Sequence, residues 1–329
     1  MTALRIGALA GIAVLALAAW YFFAGRQPGV PSSTAGSETV AAAPAYVGSK
    51  ACAQCHAAES EAWRTSQHAV AMQHATARTV LGNFNDATYS FEGVQTRFFR
   101  RGDKFFIRTD GPDGELADFE VKYTFGVAPL QQYLVELRGG RLQAVSVTWD
   151  ARPREQGGQR WFRQYPTEHI DHTDELHWTR RAQNWNFMCA DCHSTQVSKG
   201  YEAASDSFKT TYAEISVGCE ACHGPGSAHV EWAGRKGAEA SKGLTVQLDE
   251  RRGVTWERNA ATGQPARSKP RATDREIEVC AQCHARRAQI AEGYVPGRPF
   301  MDHYLPSLLV PGLYHSDGQQ QDEVFVWGS

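Results

Sequence analysis

Val217-Gly218-Cys219-Glu220-Ala221-Cys222-His223-Gly224-Pro225-Gly226, followed by His229, is the stretch from which the rest of the chain can be read. Two cysteines three positions apart lie on one side of a single helical turn, so both sulfurs reach the vinyl groups of one porphyrin. The adjacent His223 turns under the ring and offers an imidazole nitrogen to the iron. Gly224-Pro225-Gly226 closes the turn, because proline cannot continue a helix and glycine accepts positive φ. The pattern recurs at Cys52-Cys55-His56, Cys189-Cys192-His193 and Cys280-Cys283-His284, and the four copies consume all 8 cysteines.

A lone Cys-x-x-Cys reads equally well as half of a zinc site. Here histidine follows the second cysteine every time. With 12 histidines among 329 residues, four such coincidences have a probability on the order of one in a million. A thioredoxin-like redox pair would occur once, beside a βαβ pattern. Four covalently attached c-type haems are therefore expected, with His56, His193, His223 and His284 as proximal iron ligands.

The net charge of −2 and the absence of a Lys/Arg run exclude nucleic acid as a partner. Aromatic residues make up 11% of the chain, which suits an interior filled partly by porphyrin. No cysteine is left for a disulfide. Haem attachment of this kind nevertheless implies export in bacteria, and the N-terminus agrees. After Arg5, residues 6–24 form an apolar run ending in Trp20-Tyr21-Phe22-Phe23. At about 1.5 Å per residue it spans roughly 28 Å, close to a bilayer core, and its aromatic end matches an interfacial belt. The expectation is an uncleaved transmembrane anchor with the body on the periplasmic side. The competing reading is a cleaved signal ending near Ala41-Ala42-Ala43-Pro44-Ala45.

Residues 1–26 thus read as anchor or signal and 27–45 as a flexible Pro/Ser/Gly linker. Residues 46–83 form a first haem segment, with a helix over 59–77 placing Trp63, His68 and Met72 near one face. In residues 84–150 the texture changes to alternating strands, among them Lys104-Phe105-Phe106-Ile107 and Ala144-Val-Ser-Val147-Thr-Trp149. Turn signals such as Arg101-Gly102-Asp103 separate them. This predicts an inserted small antiparallel β-module of four to six strands, without Cys or His, that is structural or a docking surface. Residues 151–329 return to a three-haem segment, whose second and third motifs, about 30 residues apart, are expected to hold neighbouring haems. The arginines of 152–181 are solvated or serve one or two haem propionates. Residues 323–327 read as the start of a strand, as in a chain truncated at its C-terminus. The fold class expected is mainly α and irregular, haem-packed, with the β-module inserted and an N-terminal transmembrane helix.

Eight histidines remain for distal positions: His68, His74, His169, His172, His177, His229, His303 and His315. Such an excess beside only 4 methionines favours bis-histidine ligation and low potentials.

Ala51-Cys-Ala-Gln-Cys-His56, Trp63-Arg-Thr-Ser66-Gln-His68-Ala-Val-Ala-Met72 and Gly218-Cys-Glu-Ala-Cys-His-Gly-Pro-Gly226 resemble the tetrahaem cytochrome c-554 family, electron relays in hydroxylamine oxidation. The resemblance covers about residues 46–81 and 187–290. The β-insert and residues 161–186 look more like a wider group of multihaem cytochromes, many with further haem motifs and tetratricopeptide repeats. The resemblance implies that His68 is distal ligand to the haem of His223 and His229 to the haem of His56. It implies a ligand from His303 or His315 for the fourth haem, and an open iron at His193. His177, just upstream of the second motif, has no counterpart in the small relatives and is a candidate for that position.

Two functions follow. The leading one is electron transfer through four haems between a membrane-associated donor and another redox protein. The alternative is a reductase acting on a small nitrogen or sulfur oxo-compound at one open haem, with Glu168-His169-Ile-Asp171-His172-Thr-Asp174 supplying protons. The pentahaem nitrite reductases typically carry a Cys-x-x-Cys-Lys motif, and this chain has none.

Overall fold

Apolar residues alternate with polar ones from Tyr89 to Arg163, and in the structure that alternation becomes one antiparallel sheet of nine strands. The computed structural model describes residues 43–311 and Tyr314. The apolar run at 6–24, the strand expected at 323–327 and His315 lie outside the described residues. Among the described residues, no helix is long and apolar enough to cross a membrane.

The helices are short: α1 (Ser49–Cys52) and α2 (Ala57–Arg64) in the first haem segment, α3 (Trp185–Met188), α4 (Ala190–His193), α5 (Glu220–His223), α6 (Ser227–Gly234) and α7 (Arg275–His284) further on. The large sheet comprises β1 (Met72–His74), β2 (Ala87–Phe91), β3 (Val94–Arg101), β4 (Lys104–Asp110), β5 (Leu116–Phe125), β6 (Leu130–Leu137), β7 (Arg141–Ala144), β8 (Val147–Asp150) and β9 (Arg160–Arg163). Strands β2 to β6 follow one another in space, then β8 and β9; β1 pairs with β5 and β7 with β6. A register shift between Val121 and Tyr123 divides β5, so that β4 pairs along its first half and β1 along its second. The sheet curls until its ends meet. Arg163 of β9 lies over the Phe91 ring of β2 at 4.5 Å, and Trp161 Nε1 donates to the Asn83 carbonyl at 3.2 Å.

The enclosed face is aromatic. Phe84, Phe98, Phe105, Ile107, Tyr133, Trp149 and Trp161 form one buried cluster. Trp161 stacks on Phe98 with centroids 3.5 Å apart and planes 4° from parallel. Gly82 is needed where the chain crosses this cluster, since a Cβ there would come within 2.6 Å of both Trp161 and Tyr133. Outside the curl, Met72, Phe125, Leu134 and Ala144 pack on Trp185 and Ala190, so the second attachment turn rests directly on the sheet.

The expected mainly α and irregular fold is corrected here. Strands outweigh helices, and the sheet is a nearly closed barrel rather than a small insert. Two physical causes are visible. A Cys-x-x-Cys-His motif needs one turn, and α4 and α5 are no longer than that. The helix expected over 59–77 stops at Arg64, because Thr65 and Ser66 turn their hydroxyls onto the Ala62 and Trp63 carbonyls at 2.9 and 2.6 Å and so compete with the helical ladder. The chain freed beyond them pairs with β5. The sheet thereby takes Met72–His74 from the first haem segment and Arg160–Arg163 from the last. Three further two-stranded pairs follow, β10 (Tyr201–Glu202) with β11 (Ser207–Phe208), β12 (Trp256–Arg258) with β13 (Pro265–Arg267), and β14 (Arg287–Gln289) with β15 (Tyr304–Pro306).

Trp161→Ala removes the centre of the enclosed cluster. It is expected to lower the unfolding free energy by about 3–5 kcal/mol, measured by chemical denaturation followed through aromatic fluorescence.

Candidate haem-binding centre

Each motif closes on itself as the sequence requires. The His56 N–H donates to the Cys52 carbonyl at 2.9 Å, His193 to Cys189 at 3.1 Å and His223 to Cys219 at 3.0 Å. The last histidine ends α7.

The first and third turns are clasped together. The Glu220 carboxylate, 1% exposed, accepts from the backbone N–H of Val47 at 2.9 Å, Gly48 at 2.7 Å and Gly226 at 2.7 Å. Glu214 accepts from the Ser49 N–H at 3.1 Å and its hydroxyl at 2.8 Å, and Ser49 Oγ in turn accepts from Cys219 N–H at 3.0 Å. Trp63 Nε1 donates to the Val217 carbonyl at 2.9 Å. Cys52 and Cys219 end within hydrogen-bonding distance of each other; burial, then that neighbour, pushes the Cys52 thiol up to about 11.

The second and fourth turns are joined by a different set. Asp191 accepts from Arg287 at 2.6 Å and from the Tyr304 hydroxyl at 2.9 Å. Cys192 lies against the Gln282 carbonyl at 3.8 Å and hydrogen-bonds Cys283. Asp191, Glu220, Ala221 and Gln282, intervening residues of three different motifs, line one narrow cleft with Tyr46 and Tyr294. Cys222 also lies in the field of Cys280. The second and third motifs, close in sequence, are therefore not joined sulfur to sulfur; the contacts run first to third, third to fourth and fourth to second.

Two pairs of imidazoles face each other. His56 and His229 have ring centroids 6.1 Å apart, and His68 and His284 6.2 Å apart. A metal held between two imidazoles by bonds of about 2 Å places the ring centres about 6 Å apart, so both spacings suit one iron. The Nδ1 atoms of His229 and His193 meet the carbonyls of Lys242 at 2.8 Å and Ala71 at 3.0 Å. A carbonyl only accepts, so each Nδ1 carries the proton and each Nε2 keeps its lone pair for a metal. Desolvation lowers the pKa of His193 against a small opposing effect of Ala71. Desolvation, then His56 and His229, lowers that of His223. Both shifts favour the neutral, ligating form. The donor set fits haem.

Other sequence candidates sit elsewhere. The resemblance set His68 against the haem of His223; here it faces His284. His177 is buried in the sheet, its Nε2 3.0 Å from Asp110 Oδ2 and its Nδ1 2.8 Å from Thr179 Oγ1. His169 pairs with Glu92 at 3.0 Å, and His169, His172 and His177 line a cavity of about 130 Å³ at one end of the barrel. The proposed proton donors are thus gathered in the sheet. His303 points Nδ1 at the Ala291 carbonyl, 3.3 Å away, between Tyr294 and Tyr304. Sequence reading missed Glu214, Glu220, Asp191 and Arg287. The acidic residues inside the second and third motifs were a usable signal, since the first and fourth carry none there.

The sequence matches the family model for cytochrome c554 and c-prime over residues 51–88 and 148–224. The interval between them is most of the sheet. Outer cell wall cytochrome OcwA has a similar fold, with a TM-score of 0.50 and 18% identity over 84% of this chain and 48% of that one. An undecahaem cytochrome from the S-layer of Carboxydothermus ferrireducens aligns with a TM-score of 0.36 and 16% identity, over 78% of this chain and 29% of that one. The chain spans about half the length of OcwA and less of the other. No curated protein matches it. The motifs, the paired imidazoles and the family match together support a c-type cytochrome with several haems. It is a multihaem cytochrome similar, over three of its four motifs, to cytochrome c554.

Burial alone would raise the Asp110 carboxyl, but the hydrogen bond and field of His177 outweigh it and hold the group below its ordinary 3.8. A depressed carboxyl stabilises the fold above its unfolded value and loses that contribution as pH falls through the folded one. Asp110→Asn is therefore expected to lose stability at neutral pH and to show a shallower decline below about pH 4. Urea midpoints collected from pH 7 downward check this.

Proposed function

We propose that the chain holds four c-type haems and conducts electrons through them, outside the cytoplasm, between a membrane-associated donor and another redox protein. The observation that carries this reading is the chain of contacts among the four turns, first to third, third to fourth and fourth to second, which would bring haems attached there close to one another. His56 and His229 would hold one iron between them, and His68 and His284 another. A covalently held haem keeps its attachment whatever its oxidation state, and bis-imidazole iron changes little in geometry between the two, which suits conduction.

The extracytoplasmic setting rests on the attachment chemistry, and OcwA is by name an outer cell wall protein. Whether residues 6–24 stay or are cleaved, the haem-bearing body lies on the far side of the membrane. Reduction of a small oxo-compound is the second reading. It is favoured by one observation, the engagement of His177 with Asp110 and Thr179, which leaves the iron of His193 without that ligand. Against it, the histidines that were to supply protons face the barrel cavity.

A pyridine haemochrome assay against protein mass is expected to return four haems per chain; fewer than four would end the four-haem reading. His68→Ala is expected to keep all four haems, since the thioethers are untouched, and to create one new high-spin, carbon-monoxide-binding iron. If the variant stays as low-spin as the parent and takes up no additional carbon monoxide, His68 is not a ligand.

A further inference from the structure

The four attachment turns differ at their intervening positions. The first carries Ala53-Gln54 and the fourth Ala281-Gln282, both uncharged, while the second carries Asp191 and the third Glu220. Each acid is tied covalently within two residues of a haem-bearing cysteine, so each lies beside a porphyrin. Their surroundings are opposite in charge. Asp191 forms an ion pair with Arg287 at 2.6 Å, both side chains being largely buried. Among the described residues, Glu220 hydrogen-bonds only backbone N–H groups, those of Val47, Gly48 and Gly226, and no cation forms an ion pair with it. Glu214 adds a second carboxylate at the same junction, bonded to Ser49.

Backbone dipoles hold a carboxylate in place without cancelling its charge, whereas a guanidinium at contact distance cancels it for any group further away. The first–third junction is therefore negative and the second–fourth junction close to neutral. Negative charge beside an iron favours the ferric state, because the iron centre loses one positive charge on reduction. A buried site transmits that preference with little screening.

We infer that Glu220, supported by Glu214, sets the first and third haems to lower potential than the fourth and second, so that electrons run from the first motif toward the second. Glu220 acts here as a positioning residue for charge, since it touches no reacting atom. The step itself is a one-electron transfer: a ferrous iron of the first–third pair is oxidised and a ferric iron of the fourth–second pair is reduced. The neutral Asp191–Arg287 pair makes the downstream end the better electron sink. The inference rests on the four-haem reading above.

The test is a spectroelectrochemical titration of the holoprotein and its variants, with haem content assayed on the same samples. Glu220→Gln is expected to raise two of the four midpoint potentials and leave the other two in place. The expected size is about tenfold in the electron-partition constant, which is 59 mV for one electron. Glu220→Asp, which keeps the charge, is expected to restore most of the parent values. Glu214→Gln, which leaves the Glu220 clasp whole, is expected to move the same two midpoints upward by less, and it keeps the test alive if Glu220→Gln does not fold. Arg287→Gln is expected to lower the other two, by exposing the charge of Asp191. Four haems with unmoved midpoints in Glu220→Gln and Glu214→Gln would overturn the inference alone. Movement of the same haems by Glu220→Gln and Arg287→Gln would also overturn it. Fewer than four haems in the parent protein would instead overturn the reading on which it rests.

Discussion

The buried carboxylate of Glu220 is the contact on which the haem-bearing half depends. It joins residues more than 170 positions apart in sequence, a separation that costs loop entropy and is offset only by contacts formed together. Gly48, at φ 81°, supplies the left-handed backbone that lets two successive N–H groups, its own and that of Val47, turn toward one anion. The third donor, Gly226, comes from the Gly-Pro-Gly stop after the third motif. One side chain thus fixes the entry to α1, the exit from α5 and the distance between them. Removing it would orphan three N–H groups, each costing about 1–3 kcal/mol when buried, so a hydrophobic replacement of similar size would not serve.

The second attachment turn is fixed by the sheet. Asn184 caps α3 by accepting from the Phe187 N–H at 3.0 Å and donates to Gln143 at 2.7 Å. Asn186 accepts from the Leu142 N–H at 2.7 Å. Ala190, inside the motif, is fully buried against the sheet, beside Met72 and Trp185. The clasped first–third pair and the sheet-borne second turn then meet through Asp191, Arg287 and the fourth motif, so the order of contacts follows from packing and not from the order of motifs in the chain.

How much of this the sequence disclosed differs by feature. The four attachment turns were legible because the chemistry of one porphyrin demands Cys-x-x-Cys-His within a single turn. The pairing of His229 with the haem of His56 came from the resemblance alone; the two rings lie 6.1 Å apart in the structure. The partner of His68 was not legible from its motif, since the motif fixes a local turn while the opposing ring is chosen by tertiary packing. The alternation at 89–149 disclosed strands but not their extent. Met72–His74 and Arg160–Arg163 are too short to show a period of two; they become strands because β5 and β8 offer open edges. Thr65 and Ser66, read as interior positions of a helix, are its end. Glu220 was hidden inside a motif read only for its cysteines and histidine.

The two halves differ in what makes their interiors. The sheet encloses a continuous aromatic cluster drawn entirely from its own strands and the segments that cross them. Among the described residues, the segment that follows has one small apolar cluster apart from the sheet, Tyr294, Phe300 and Tyr304, and several four-residue helices of a length that has no independent stability in water. Burial large enough to offset the entropy of ordering that segment would come from bound porphyrin, whose faces are apolar. The sheet fills its own interior, and the second turn is packed against it through Ala190, beside Met72 and Trp185. The first and third turns depend on each other through Glu220, and the fourth depends on the second through Asp191 and Arg287.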